Sequence, residues 1–232
     1  MSTVVVGHRG YPARAPENTL ASFGCAVEAG AQMVETDLRV TRDGVIVLVH
    51  DETLERTTDG SGRVDAHTWR ELQELDAGGG RIPSLVQALD AVAVPLMLDY
   101  EAQAVIEPLL RVLADEEVRR RVVMVGGNAE GHRALCARYP DLVVGLTVDW
   151  PVGADALDRA RSVGARYINP PYPALTAEWV ARSRAAGLSI STWTVDGPAD
   201  MDRVLGLGVD LMITDYPDVA CARRDRAAGR DG

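Results

Sequence analysis

Short apolar runs rich in β-branched residues alternate with amphipathic helical patterns along the whole chain, and this alternation constrains the fold more than any other feature. Strands are expected at residues 3–8, 34–39, 95–100, 121–126, 142–148, 166–169, 188–195 and 210–214. Helical periodicity falls between them at 19–29, 84–91, 103–113, 129–138, 154–162, 177–186 and 199–205. Asn18 reads as the N-cap of the first helix and Gly30 as its end. Loops are short and no linker interrupts the pattern. Eight β-then-α units in 232 residues therefore point to a single-domain α/β fold, a (β/α)8 barrel rather than a doubly wound sheet. The barrel is expected at residues 1–221, with a charged, disordered tail at 222–232.

Residues 34–60 depart from this rule. Glu35, Asp37 and Arg39 alternate with Val34, Thr36, Leu38 and Val40, the period-two pattern of a strand with one polar face. Asp43-Gly44 supplies a tight turn, and the apolar run 45–49 reads as a return strand ending at His50, so a β-hairpin extends the second strand. A two-residue loop sets His50 across from Asp37 and Glu52 across from Glu35; a bulge at Gly44 slides this register by about one residue. The charged face is either a solvated hairpin face or, because the return strand suggests burial on both sides, a carboxylate pair that needs a cation.

Composition removes several function classes. A net charge of −10 leaves no broad basic surface, so nucleic acid is not an expected partner. All 24 cationic side chains are arginine, which excludes lysine nucleophiles and Schiff bases and leaves phosphate to arginine, metal or backbone amides. Cys25, Cys136 and Cys221 are widely spaced, which argues against a disulfide framework and suits a reducing compartment. No charged leader with an apolar core opens the chain and no apolar run has membrane length, so a soluble, cytoplasmic protein without an integral membrane segment is expected. Oligomeric state is not encoded in these patterns.

In a (β/α)8 barrel the reactive groups gather where strands end at the carboxyl face. His8 ends the first strand, Glu35 and Asp37 lie on the second, Asp99 and Glu101 close the third, and Trp193 sits near the end of the seventh. Alternation along the third strand turns Leu96, Leu98 and Tyr100 to the helices and Met97, Asp99 and Glu101 inward. Arg9 follows His8 at the rim. Glu17 and Asn18 read as fixing the first βα loop, and His67 and His132 as surface residues.

These segments resemble the glycerophosphodiester phosphodiesterase family of TIM barrels. GHRG at 7–10, PENT at 16–19, ETD at 35–37, TRDG at 41–44 and HDETLERTTDG at 50–60 are similar to its N-terminal signature in order and spacing, and WTVD at 193–196 and GVDLMITDYP at 208–217 to its C-terminal pieces. The resemblance implies hydrolysis of a small glycerophosphodiester to glycerol 3-phosphate and an alcohol, within glycerol and lipid metabolism. It implies His8 and His50 as the catalytic pair, Arg9 and Trp193 as substrate contacts, and one divalent cation on Glu35, Asp37 and Asp99. Oxygen-only ligation suggests Mg²⁺ or Ca²⁺. A lyase forming a cyclic phosphate, as in phospholipase D-like relatives, and a non-catalytic phosphodiester-binding barrel are the alternatives.

The chain departs from the family pattern twice. Asp99 and Glu101 stand where the family usually carries a Glu-x-Lys pair, and Gly126-Gly127 where it often carries Ser-Phe. Replacing the lysine by Glu101 changes the interaction with a phosphate at ~6 Å by at most roughly 5 kcal/mol. Glu101 either pairs with an arginine such as Arg39, joins the metal shell as a further ligand, or marks loss of the ordinary activity. Gly126-Gly127 implies a missing or remodelled substrate wall.

Overall fold

The computed structural model describes residues 3–229. Its strands are β1 (Val4–Gly7), β2 (Met33–Val40), β3 (Ile46–Leu48), β4 (Leu96–Asp99), β5 (Val122–Gly126), β6 (Val143–Thr147), β7 (Tyr167–Asn169), β8 (Ser189–Thr192) and β9 (Leu211–Thr214). The α-helices are α1 (Leu20–Glu28), α2 (Trp69–Gln73), α3 (Leu85–Ala91), α4 (Ile106–Val112), α5 (Glu116–Arg120), α6 (Ala129–Arg138), α7 (Ala156–Ser162), α8 (Ala177–Ala185), α9 (Pro198–Leu207) and α10 (Pro217–Ala227). Eight parallel strands, in the order β1, β2, β4, β5, β6, β7, β8 and β9, close when β9 pairs with β1, while β3 lies antiparallel on β2 outside the ring. The fold is a (β/α)8 barrel with a hairpin extension.

Period-two alternation sorts the side chains into layers. Val6, Met33, Met97, Val123, Val125, Leu211 and Ile213 fill the barrel, while Val34, Leu96, Leu98 and Met124 pack outward against the helices. On the hairpin, Ile46 and Leu48 join the main core, whereas Val47 and Val49 pack with Leu54, Leu72 and Ile82 in the excursion after β3. The return strand is thus buried on both sides. Thr68 and Ser84 each make a capping box at the starts of α2 and α3.

Four local expectations are corrected or, for the hairpin register, decided between the two alternatives. Thr19, not Asn18, caps α1, accepting from the Ser22 amide, and Asn18 sits at φ 56° instead. The hairpin pairs Leu38 with Leu48, one residue away from the two-residue-loop register, because Gly44 adopts φ 83° and its amide bonds back to the Thr41 carbonyl at 3.0 Å. Asp37 consequently receives the Val49 amide rather than facing His50, and Glu52 leaves Glu35 for Arg63 at 2.6 Å. The tail is helical to Ala227, since Ala220 and Cys221 are buried, Arg223 pairs with Asp202 of α9, and Arg224 donates to Gln32. Residues 230–232 lie outside the described residues.

His132 is the fourth. It is fully buried, not a surface residue. A neutral imidazole satisfies both contacts: Nε2 donates to the Gly126 carbonyl at 3.1 Å and Nδ1 accepts from the Tyr100 hydroxyl at 2.8 Å. Burial holds its pKa below the ordinary value. The unfolded chain therefore binds a proton near pH 6.5 that the folded chain refuses, so stability falls as pH drops below that point. Chemical denaturation of the wild type and His132→Gln at pH 7 and pH 5 should show the wild type losing up to about 2 kcal/mol more than the variant; equal losses contradict this account.

Candidate active site

The carboxyl ends of the strands open into a cavity of about 280 Å³ lined by His8, Arg9, Glu35, Asp37, Arg39, His50, Asp99, Glu101 and Trp193. All eight residues singled out from the sequence are therefore brought to one cavity, with Arg39 beside them. Thr147, Asp149 and Asn169 complete the wall across from β2.

The floor is anionic. Parallel pairing of β2 with β4 sets Asp37 beside Asp99 and Glu35 beside Met97. Glu35 is 3% exposed, and burial together with the charges of Asp37 and Asp99 pushes its pKa well above the usual carboxylate range. Burial, then Asp37 and Glu101, raises Asp99 to about 7. Among the described residues no three His, Cys, Asp or Glu side chains are gathered as a ready ligand set for one metal ion.

The loop after β1 supplies the countercharge. The Arg9 amide donates to Glu35 Oε2 at 2.9 Å, and its guanidinium holds Glu17 at 2.8 Å and lies 3.2 Å from Asp37. Burial disfavours this cation, but Asp37, Glu17 and Glu35 more than offset it and its pKa rises. Arg9 takes φ 52° and Asn18 φ 56°, left-handed values uncommon outside glycine that store strain at a site. Asn18 uses that conformation. Its Nδ2 donates to Asp37 Oδ2 at 2.8 Å, and its Oδ1 accepts from Thr36 at 2.7 Å. Glu17 fixes the loop as expected, while Asn18 orients a site carboxylate instead of capping the helix.

Each catalytic candidate has a carboxylate on Nδ1. His8 Nδ1 is 2.7 Å from Asp215, which follows β9, and its Nε2 lies 4.0 Å from Glu35. His50 Nδ1 is 2.6 Å from Asp51. Hydrogen bonds from Arg56, and then the one with His50, hold Asp51 below the usual carboxylate range, and Arg56 also clasps Glu17 with two hydrogen bonds of 2.8 Å. Such a carboxylate accepts the Nδ1 proton and leaves Nε2 to exchange protons with a substrate. The sequence reading missed Asp215 and Asp51. Asp51 follows His50 directly, and Asp215 ends the strand that closes on β1, so a strand-end acid was the available signal for it.

Trp193 is fixed by donation from Nε1 to the Asn169 carbonyl at 3.0 Å. Arg39 turns to the His50 carbonyl, at 2.6 and 3.0 Å, rather than to Glu101. Gly126, at φ 141°, leaves no room for a side chain: a Cβ there would stand 2.2 Å from the Tyr100 carbonyl. Gly126 is thus a requirement of how β4 and β5 leave the barrel, whereas a Cβ at Gly127 would meet nothing nearer than the Thr147 carbonyl at 4.0 Å.

Residues 8–219 match the model of the Glycerophosphoryl diester phosphodiesterase family. A glycerophosphodiester phosphodiesterase of Caldanaerobacter subterraneus subsp. tengcongensis is 32% identical over 234 residues, covering 94% of this chain and 96% of that protein. The crystal structure of an Oleispira antarctica phosphodiesterase in complex with its product sn-glycerol-3-phosphate superposes with a TM-score of 0.88 at 25% identity, covering 97% of each chain. The glycerophosphodiester phosphodiesterase of Thermotoga maritima superposes with a TM-score of 0.83 at 26% identity, covering 96% of this chain and 98% of that one. With a matching barrel and a family model spanning nearly all of its length, this chain belongs to the glycerophosphoryl diester phosphodiesterase family of enzymes.

Proposed function

We propose that the protein hydrolyses a glycerophosphodiester to glycerol 3-phosphate and an alcohol, with His8 and His50 exchanging protons and a divalent cation on Glu35, Asp37 and Asp99. The observation that carries this reading is two imidazoles, each with Nδ1 against a carboxylate, in one cavity that Glu35, Asp37 and Asp99 also line. The product bound in the Oleispira antarctica enzyme supports the glycerol 3-phosphate half.

The donor set suits a hard cation. All three groups are carboxylates, and the raised pKa of Glu35 and of Asp99 reflects burial first and then the repulsion of neighbouring acids that Arg9 does not cancel. Mg²⁺ or Ca²⁺ would offset charge on the phosphoryl oxygens when bound. The chain's own residues do the rest. Arg9 and the loop it braces hold Glu35 and Asp37 in place. Of the two imidazoles, one takes a proton from the attacking group and the other protonates the leaving alkoxide, each kept in the required tautomer by Asp215 or Asp51. Trp193 forms part of the substrate wall. The three separate cysteines, none of them disulfide-bonded, fit a reducing, cytoplasmic setting, and among the described residues no helix is long and apolar enough to cross a membrane.

Phosphorus NMR of a glycerophosphodiester digest should show glycerol 3-phosphate; accumulation of a cyclic phosphate points to the lyase instead. His8→Ala and His50→Ala should each lower kcat by about 10²–10⁴-fold, and Asp215→Asn should lower it with little change in KM. Activity surviving both histidine substitutions refutes the mechanism. Chelation should abolish turnover, with Mg²⁺ or Ca²⁺ restoring it. Metal binding also has a readout apart from activity. Because the folded pKa of Asp99 lies above its unfolded value, its charge opposes folding increasingly as pH rises from about 4 through 7. In metal-free protein at pH 8, Asp99→Asn should therefore add on the order of 2 kcal/mol of stability, fading at pH 4, and should weaken the rise in Tm that Mg²⁺ or Ca²⁺ gives the wild type. Equal rises in Tm for both proteins would remove Asp99 from the metal site.

A further inference from the structure

The stretch from His50 to Gly60 carries one arginine, Arg56, which is not among the residues lining the active-site cavity. The turn that bears it is fixed from both ends. Leu54 is buried in the small core beneath the return strand and its amide donates to the Gly62 carbonyl at 3.1 Å, while Thr58 bonds back to the Leu54 carbonyl through its amide at 3.1 Å and its hydroxyl at 2.8 Å. So held, the guanidinium reaches two carboxylates from different loops. Its Nε and Nη2 donate to Asp51 at 2.6 and 3.0 Å, and its Nη1 and Nη2 donate to Glu17 at 2.8 Å each. A planar fork lets one side chain grip both acids, and a lysine offers no such fork.

Each of these carboxylates has a second task. Asp51 faces Nδ1 of His50 at 2.6 Å, and Glu17 accepts from Nη1 of Arg9 at 2.8 Å, whose Nε lies 3.2 Å from Asp37. Charges therefore alternate from Asp51 through Arg56, Glu17 and Arg9 to Asp37, with His50 at the outer end. Two carboxylates repel, so Asp51 and Glu17 stand close only with a cation between them. Burial works against the Glu17 charge, but Arg56 and Arg9 more than offset it and its pKa falls. An exposed ion pair by itself contributes little to stability; what distinguishes this one is that both of its acids hold groups of the active site. We propose that Arg56 is a positioning residue that joins the loop of His50 to the loop of Arg9, so that one guanidinium sets both the aim of His50 and the brace on the acidic floor. The proposal rests on the diesterase reading and adds to its machinery a residue that acts through Asp51 and Glu17.

The test is a set of kinetic cycles on glycerophosphocholine with Mg²⁺ or Ca²⁺. Arg56→Met should lower kcat by on the order of 10–100-fold with KM within about threefold of the wild type, because the reacting groups stay in the cavity but lose their alignment. Arg56→Lys, which keeps the charge and loses the fork, should recover only part of that loss. Glu17→Gln and Asp51→Asn should each lower kcat, and with Arg56 in place the pair should cost less than the product of the two by about threefold or more; in the Arg56→Met background the two effects should simply multiply. Nitrogen NMR of the imidazoles gives a readout apart from turnover. Glu17→Gln should move the His50 Nδ1 resonance when Arg56 is present and leave it in place in Arg56→Met. If Arg56→Met is unfolded at the assay temperature, Arg56→Lys carries the same comparisons. A kcat for Arg56→Met within about twofold of the wild type, with only Tm reduced, overturns the proposal, as do Glu17 and Asp51 effects that multiply equally with and without Arg56; both results leave the diesterase reading standing. No turnover by the wild type overturns the diesterase reading, and the NMR comparison then decides the proposal alone, a His50 resonance unmoved by Glu17→Gln overturning it.

Discussion

Like charge gathered in a low-dielectric floor is the constraint on which the rest of this structure turns. Parallel pairing of β2 with β4 brings Asp37 beside Asp99 while Glu35 is buried one pleat below. Such a floor is costly unless countercharge and hydrogen bonds reach it. The chain meets that demand with the loop after β1, where Arg9 gives an amide to Glu35 and a guanidinium to Asp37, and Asn18 gives an amide to Asp37. Both residues sit at positive φ, so backbone strain is accepted in exchange for placing these donors. The remaining excess of negative charge is what makes the floor suited to a cation.

The two histidines are held by different means. His8 is pinned across the seam where β9 closes on β1, by an acid more than 200 positions away in sequence, |i−j| = 207. His50 is pinned locally by Asp51, yet its place over the cavity depends on the Gly44 bulge, on Arg39 bonding its carbonyl, and on the small core beneath the return strand. Arg56 ties the two halves together, clasping Asp51 on one side and Glu17, the partner of Arg9, on the other. A disturbance in the excursion after β3 therefore reaches the loop that braces the acidic floor.

Much of this was legible beforehand because two periodicities carry it. Alternation along β2 and β4 correctly turned Glu35, Asp37, Asp99 and Glu101 away from the helices, and strand-then-helix repetition led to a closed barrel. What misled were places where one backbone torsion decides the outcome. Gly44 at φ 83° selects the bulged register over the two-residue loop, an alternative the turn had left open, and Asn18 at φ 56° converts an apparent helix cap into a hydrogen-bond donor to Asp37. Charge alone suggested a disordered tail, but residues 220 and 221 are buried and α10 continues to Ala227.

The sequence by itself determined the fold class, the family and most of the side chains that line the cavity, because these follow from local pattern and motif order. Tertiary structure alone decided which partners those side chains have. Asp215 reaches His8 only because the barrel closes, and Arg39 turns from Glu101 to the His50 carbonyl only because of the hairpin's register. Ion pairs and hydrogen bonds act over a few ångströms, so their partners are set by which distant segments packing brings together, and no local pattern in the chain encodes that distance.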